Sequence, residues 1–481
     1  MTSSSNLILT VFLCLTSVLA NAYPRQVQGR VFADKNTNGI WDKGEKLIHN
    51  AGVSDGRQVV WTDKKGRYSI TTEAELVFPV IPDGWMSASG SLQNDCTLRL
   101  SEHSGNQSDL PIVLQHDFPL FPIENSSRKS FRVAVVGDVQ VDSKDEVELA
   151  KNSVLRELAS REDLDFVIHM GDLVNDKPSL FSEILPSWKA LGHPTWFVAG
   201  NHDMDTLDRS HRAASNFRKL VGNDVGAWFR GETCFIMLDN VEFADYRIPE
   251  SQLEFVRNIM AKCSEDKLIV LLMHVPLDAT KNREELLGLL GSRRTLVLSA
   301  HAHNVFRKEW SETISEVSVG ASCGSWWTGE RDMWNIPIAL QQCGSPRNYF
   351  VFDFNANDFV FSFKGVGLDS SIQADAAFVE DKVLVNVYGG GEATSVEFSV
   401  DGRKWWPMVR KNQVAPYVLR MVRMNKEGGY PTTFSRKTPL RNRKASPHIW
   451  EAGLPIEKAE RYLFRVTDSK GLKPFTFSAY N

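Results

Sequence analysis

Net charge is almost absent from this sequence: 55 Lys and Arg stand against 59 Asp and Glu, a balance of −4. With no basic field there is no global attraction to nucleic acid or an anionic membrane. An anionic ligand must be drawn by local charge, and metal ions are a natural source. Cysteine is scarce, six in the chain, and without a CxxC pair there is no thiolate zinc signature. Low-complexity tracts and internal repeats are missing, which excludes a disordered or solenoid chain. Long apolar runs are confined to the amino terminus, so no other segment could cross a bilayer. There, Leu7 to Ala20 is nearly continuous apolar sequence and Ala20-Asn21-Ala22 fits a small-x-small cleavage site. The reading is a signal peptide over 1–22, a mature chain from near Tyr23, and export to the periplasm or the extracellular space. One departure is an n-region without Lys or Arg. Removing Cys14 leaves Cys96, Cys234, Cys263, Cys323 and Cys343, an odd number. Cys323 and Cys343 bracket a Trp-rich loop, and a bridge or buried free thiols would suit them equally.

What is present is material for two or three cores: 481 residues, 42% of them hydrophobic. Residues 23–114 carry short alternating runs (Gln28–Phe32, Gln58–Thr62, Gly66–Ile70, Glu75–Val80) with turn signals between them, which predicts a small β-sandwich. Two prolines with Asn and Ser mark 115–130 as a linker. From Phe131 the pattern changes. Apolar runs at Val133–Val136, Phe166–Ile168, Trp196–Val198, Phe235–Leu238, Leu268–Leu272 and Leu296–Leu298 alternate with stretches of helical spacing at 145–160 and 180–188. That predicts an α/β layered catalytic unit over 131–366, a β-sandwich flanked by helices. From 367 to 481 the alternation is β again, so the catalytic unit lies between two all-β sandwich-like domains. Gly389-Gly390-Gly391 has no helix after it and reads as a hairpin turn.

The chemistry gathers in the middle unit, directly after the apolar runs. Val136 leads into Gly137-Asp138-Val139-Gln140, Met170 into Gly171-Asp172, and Ala199 into Gly200-Asn201-His202-Asp203. His274 ends the run from Leu268, and Ala300-His301-Ala302-His303 ends the run from Leu296. In open α/β sheets ligands bind beyond the carboxyl ends of the strands, so five neighbouring strand ends would deliver these groups to one crevice. Carboxylate, amide and imidazole together suit divalent metals of the Mn, Fe or Zn class. A Gly-Asp pair or a lone His carries little weight singly; the ordered set, each member at a strand end, carries the reading.

This ordered set resembles the calcineurin-like metallophosphoesterase superfamily, whose blocks run Asp-x-His, Gly-Asp, Gly-Asn-His-Asp/Glu, His, then Gly-His-x-His. The resemblance spans roughly 131–365, and the flanking β-domains match exported members. It implies two divalent metal ions: Asp138, Gln140, His303 and a bridging Asp172 at one, and Asp172, Asn201, His274 and His301 at the other. His202 would face the substrate, with Asp203 orienting its imidazole. The reaction implied is hydrolysis of a phosphomonoester or phosphodiester by hydroxide activated between the two cations. Two departures stand out: Gln140 occupies a usual His position, and Ala300 replaces the Gly before His301. The alternative is a non-catalytic glycan- or surface-binding protein with a degenerate core, of which Gln140 would be the trace; a metal-dependent nuclease is a third reading that lacks a basic face.

Three further signals stand apart. Trp326 and Trp327 sit in a loop after His303, where they would contact a sugar or base of a phosphorylated small molecule or glycan, or simply pack in the core. Asp34, Asn36, Asn38, Asp42 and Glu45, with Gly39 among them, follow the spacing of a calcium loop but lack flanking helices. They read as a structural calcium site or as an Asx-rich turn. Arg436, Lys437, Arg441, Arg443 and Lys444 form a basic run, a solvated face or a guide for a phosphorylated glycan.

Overall fold

A computed structural model describes residues 24–100, 113–123, 128–205, 214–329, 331–427, 444–455 and 459–481. The signal-like stretch and the basic positions Arg436, Lys437, Arg441 and Arg443 lie outside them. The described fold is mixed α/β and rich in sheet.

The apolar runs of the middle region become strands, divided between two sheets. One runs in the order Thr195–Phe197, Phe166–His169, Ser130–Val136, Asn348–Asn355, Asp358–Gly365. The other runs Gly226–Arg230, Thr233–Met237, Leu268–Leu272, Thr295–Ser299, Ile314–Val319, Val305–Glu309. The expectation that the five strand ends are neighbours in one sheet is therefore corrected. Asp138, Asp172 and Asn201 follow strands of the first sheet, and His274, His301 and His303 follow strands of the second.

Period-two alternation decides what each strand buries. From Ser130–Val136, Val133 and Val135 join a core containing Val270, Leu272 and Leu298 of the other sheet. The opposite residues, Ala134 and Val136, pack instead with Val147, Val154, Leu158, Phe181, Ile184 and Trp188. On the second sheet, Ile236, Ile269 and Leu271 meet Leu253, Val256, Ile259 and Leu286 in the same manner. Strands buried on both faces need apolar residues at every position, which is why these runs look continuous in the sequence. Aromatic rings fill the space between the sheets: Trp196 stacks on Trp228 at 4.1 Å and Phe166 meets Phe235 edge-on at 5.6 Å. Each such ring contributes about 1.5–3 kcal/mol through burial.

The helix Lys144–Ala150 begins where Ser143 Oγ accepts the Glu146 amide and Glu146 returns a carboxylate to the Asp142 amide, a reciprocal cap. A π turn at Lys151–Leu155 joins it to Arg156–Ala159. The amino-terminal strands form two sheets, one around Arg25–Ala33 and one around Gly52–Ser54. The side chain of Asn94 closes the edge of the first central sheet, giving its amide to the Phe197 carbonyl and accepting the Phe197 N–H, both at 2.8 Å.

The carboxyl-terminal strands again form two sheets, but the expectation of β structure alone is corrected. Pro416–Lys426 is a helix whose Val418, Met421 and Val422 pack on Leu340, Leu384 and Ile449. Nor is Gly389–Gly391 a hairpin. Lys382–Val387 and Thr394–Ser399 belong to different sheets, so the turn crosses between them. Of the two readings open for Cys323 and Cys343, the structure has buried thiols and no disulfide between them.

Arg307, on the edge strand of the second central sheet, meets Asp468 of the last sheets at 2.7 Å with both side chains buried. Burial alone would raise the Asp468 carboxyl, but Arg307 holds it below its usual value. The resulting stability is present above the unfolded carboxylate value near 4 and is lost as pH falls through the depressed one. Asp468→Asn leaves a buried guanidinium without its counter-charge and is expected to cost roughly 3–5 kcal/mol in urea unfolding. A loss under about 1 kcal/mol would mean the pair contributes no more than a surface ion pair does.

Candidate metal centre

The glycine before each first-sheet ligand is where the backbone comes closest. A Cβ on Gly171, which has φ +97°, would lie 2.4 Å from His274 Nδ1, and one on Gly200 would lie 2.1 Å from the Asp172 amide. Only glycine lets the strand ends of the two sheets approach this far. The backbone around these glycines is strained as well: Gln140, Asp172, Asp176, His301, His303, Trp326 and Trp327 all have left-handed φ. Such backbone costs of order 1–3 kcal/mol per residue and clusters at functional sites. Ala300 is not among the left-handed residues, so the missing glycine there removes nothing the chain needs.

Asp172, His274 and His301 bring ligand atoms within 4.8 Å of one another. His274 donates Nδ1–H to the Met170 carbonyl at 2.8 Å, which aims Nε2 at Asp172 Oδ2 and Asn201 Oδ1, each 3.2 Å away. Asp138 is fully buried, 3.7 Å from His274 Nδ1 and 3.8 Å from His303 Nε2. His303 Nδ1 donates to the Gly324 carbonyl at 2.6 Å, which fixes Nε2 on the Asp138 side. Gln140 gives its amide N–H to Asn175 Oδ1 at 3.2 Å. The structure thus brings Asp138, Gln140, Asp172, Asn201, His274, His301 and His303 into one neighbourhood.

Buried polar atoms test what belongs there. Asp138 Oδ2 and Gln140 Oε1 are buried acceptors with no hydrogen-bond donor. Burial, and then the nearby Asp172, push the Asp138 carboxyl well above its usual value. Burial also opposes charge on Asp172, yet His274 and His202 hold it below the usual range. Burial disfavours a proton on His274 as well, but Asp172 and Asp138 outweigh it and push the imidazole up to about 9. His301 and His303 have no such help, and burial pulls them down to about 3 and about 4. The neutral imidazoles of His301 and His303 and the unpartnered oxygens of Asp138 and Gln140, converging in a buried space, are the donor set a divalent cation accepts, and a cation there would take the place of the proton that the two carboxylates draw onto His274. The residues fit the metals that the sequence implies.

Two assignments change. Asp203 does not orient His202: its carboxylate accepts the Leu173, Val174 and Gly200 amides at 2.8, 3.1 and 3.0 Å, pinning two strand-end loops. Burial, and after it Asp172, raise it to about 7. The carboxylate beside His202 is Asp176, 2.9 Å from Nδ1 though out of hydrogen-bond alignment. The sequence reading missed Asp176; the signal was its position four residues after Asp172 in the same strand-end loop. Trp327 is core packing rather than a substrate contact, buried with its indole N–H on the Val139 carbonyl at 2.9 Å. Trp326 differs: it is 37% exposed and stacks on His303 at 4.3 Å.

A mixed α/β fold that gathers carboxylates, amides and imidazoles at its strand ends defines a metal-dependent hydrolase. The chain matches the calcineurin-like phosphoesterase family over residues 131–305 and the C terminal of calcineurin-like phosphoesterase over residues 316–473. It belongs to the calcineurin-like phosphoesterases and is a hydrolase of phosphoester bonds. No curated protein matches it. Among solved structures it is similar to a dimetal phosphatase from Danio rerio, at 14% identity and TM-score 0.37 over 49% of this chain and 96% of that one. It is also similar to a 5'-nucleotidase from Candida albicans, at 10% identity and TM-score 0.28 over 48% of this chain and 51% of that one. Vps29 from Chaetomium thermophilum matches at 9% identity and TM-score 0.23 over 58% and 89%. Likeness at this level says nothing of activity.

Proposed function

We propose that this chain is an exported phosphoesterase that cleaves a phosphomonoester or phosphodiester of a small molecule or glycan with two divalent cations. The observation that carries the reading is the convergence of Asp172, His274 and His301 within 4.8 Å, from three strand ends on two sheets. The units are read as a signal over 1–22, a β-domain over 23–114, a layered sandwich flanked by helices over 131–366, and a β-domain over 367–481. Asp138, Gln140 and His303, with Asp172 as the bridge, would hold one cation. Asp172, Asn201, His274 and His301 would hold the other. Bound there, cations of the Mn, Fe or Zn class supply Lewis-acid polarisation of the phosphoryl group and lower the pKa of water.

The chain's own residues do the rest. The Met170 and Gly324 carbonyls fix the tautomers of His274 and His303, so each presents Nε2 to the site. Asp203 pins the loops that carry Asp172 and Asn201. His202 is 30% exposed and sits at the open side, placed to protonate the leaving oxygen. Asp176 faces its Nδ1 at 2.9 Å and is placed to orient the ring. Trp326 walls the same opening and offers a ring face to a sugar or base.

Nitrophenol release from mono- and bis-nitrophenyl phosphate with added Mn²⁺, abolished by EDTA, is the expected result. Absence of turnover with Mn, Fe, Zn and Mg on both esters would sink the assignment. His202→Ala is expected to lower turnover roughly 10²–10⁴-fold, the range for general acid–base groups, with metal content intact. Asp176→Asn should cost about 10-fold in turnover, as loss of a partner that orients a functional imidazole does, with metal content intact. Loss of metal from His202→Ala would put that residue among the ligands instead. Export predicts a mature chain beginning near Tyr23, read by amino-terminal sequencing; recovery of intact Met1 from the cell envelope fraction would contradict it.

A further inference from the structure

The loop after the first strand is built for a different cation. Arg25–Ala33 runs straight into Asp34, and the chain returns at Leu47, paired with Phe32. Counting from Asp34, the first, third, fifth, ninth and twelfth positions are Asp34, Asn36, Asn38, Asp42 and Glu45. The seventh, where a backbone carbonyl is used, is Ile40, and the sixth, where the sharp turn falls, is Gly39 with φ +75°. That is the donor order by which a twelve-residue loop wraps a hard cation in oxygen ligands.

Spacing alone would leave an Asx-rich turn equally acceptable; Asp34 decides between them. Its side chain is 1% exposed. Its Oδ2 accepts the Gly39 amide across the loop at 2.8 Å, so the carboxylate points inward, and its Oδ1 has no hydrogen-bond partner. A buried carboxylate oxygen without a donor costs several kcal/mol unless a cation takes it. The other oxygens are held ready. Asn36 and Asn38 Oδ1 each accept one backbone amide, from Asn38 and Ile40, which leaves each a lone pair. Glu45 is steadied by the Lys35 and Asp42 amides at 3.0 and 2.9 Å.

Helices usually clamp such a loop. Here the sheet does so: the Ala33 amide donates to Lys46 O and the Ile48 amide to Val31 O, both at 2.8 Å, while the Asp34 amide reaches Leu120 O at 2.9 Å. We propose that Asp34, Asn36, Asn38, Asp42 and Glu45, with the Ile40 carbonyl, form a structural calcium site that staples this loop to the amino-terminal sheet. Three carboxylates are set against exposed Lys35, Lys43 and Lys46, so the site is weak, with a dissociation constant on the order of 10⁻⁴–10⁻³ M, as in extracellular modules. Mg²⁺ does not compete, because it demands a rigid octahedron and gives up water reluctantly.

Trp41 occupies the eighth position and supplies the probe. The test uses the mature chain, stripped with EDTA and dialysed, titrated with Tb³⁺ under indole excitation and followed separately by thermal unfolding. Sensitised Tb³⁺ emission displaced by millimolar Ca²⁺ is expected, with a midpoint raised by several degrees in Ca²⁺ and not in Mg²⁺. Trp41→Phe should abolish the emission and keep the Ca²⁺-dependent rise. Glu45→Gln should weaken Ca²⁺ at least about tenfold, as expected for loss of the bidentate ligand, while Mn²⁺-supported ester hydrolysis stays unchanged. The proposal is overturned if wild-type melting ignores Ca²⁺ up to about 10 mM, well above the affinities of such modules. Emission that survives Trp41→Phe, or an unaltered Ca²⁺ response in Glu45→Gln, would overturn it as well.

Discussion

Two buried carboxylates that cannot both be ionised without a cation set the terms for this molecule. Asp138 and Asp172 sit at neighbouring strand ends, and their polar partners are imidazoles and backbone amides. Burial, and then Asp172, raise the Asp138 carboxyl, while His274 and His202 hold Asp172 down against the same burial. A folded chain would gain more by replacing both with apolar residues unless the charge were used. The remaining polar groups of the site follow from that constraint. Imidazoles face inward through Nε2 because carbonyls hold their Nδ1 protons, and Asp203 is spent on backbone amides that would otherwise be unpaired.

The constraint reaches the backbone. Left-handed φ at Asp172, His301 and His303, with glycines packed so closely that an added Cβ would clash with the neighbouring loops, are tolerable only in a rigid surround. The aromatic layer between the sheets provides it. Trp196, Trp228, Phe166, Phe235 and Phe131 fix how far apart the sheets stand. Because three ligand-bearing strands belong to one sheet and two to the other, that spacing sets how closely Asp172 and His274 approach.

Much of this was legible in the sequence because one-dimensional signals carry it. Continuous apolar runs mark strands buried on both faces, and Gly-Asp or Gly-Asn directly after them marks ligands at strand ends. Less legible was anything set by pairing between distant segments. The assignment of strands to two sheets depends on hydrogen bonding that no local pattern encodes, so five ends looked like neighbours in one sheet. The helix Pro416–Lys426 does show helical spacing in Val418, Met421 and Val422, with Arg420 and Arg423 between them, but it is short and lies in a stretch dominated by β alternation. Asp176 and Asp203 exchanged roles for a similar reason. Adjacency in sequence favoured Asp203, whereas the left-handed turn at Asp176 is what brings its carboxylate to His202.

Trp326 and Trp327 show how finely a strained turn can divide adjacent residues. Both have left-handed φ and identical side chains, yet one is committed to the core and the other to the opening. The difference lies in where hydrogen bonds are available. The Trp327 indole finds the Val139 carbonyl, two residues from the start of the first ligand loop, and so ties this segment to Asp138. With Trp327 anchored, Trp326 has no path inward and must lie on the His303 ring, whose far side is already held by Gly324. The segment from Cys323 to Trp327 therefore holds His303 through adjacent groups: the Gly324 carbonyl sets its tautomer, and the partly exposed Trp326 ring covers one face of the imidazole.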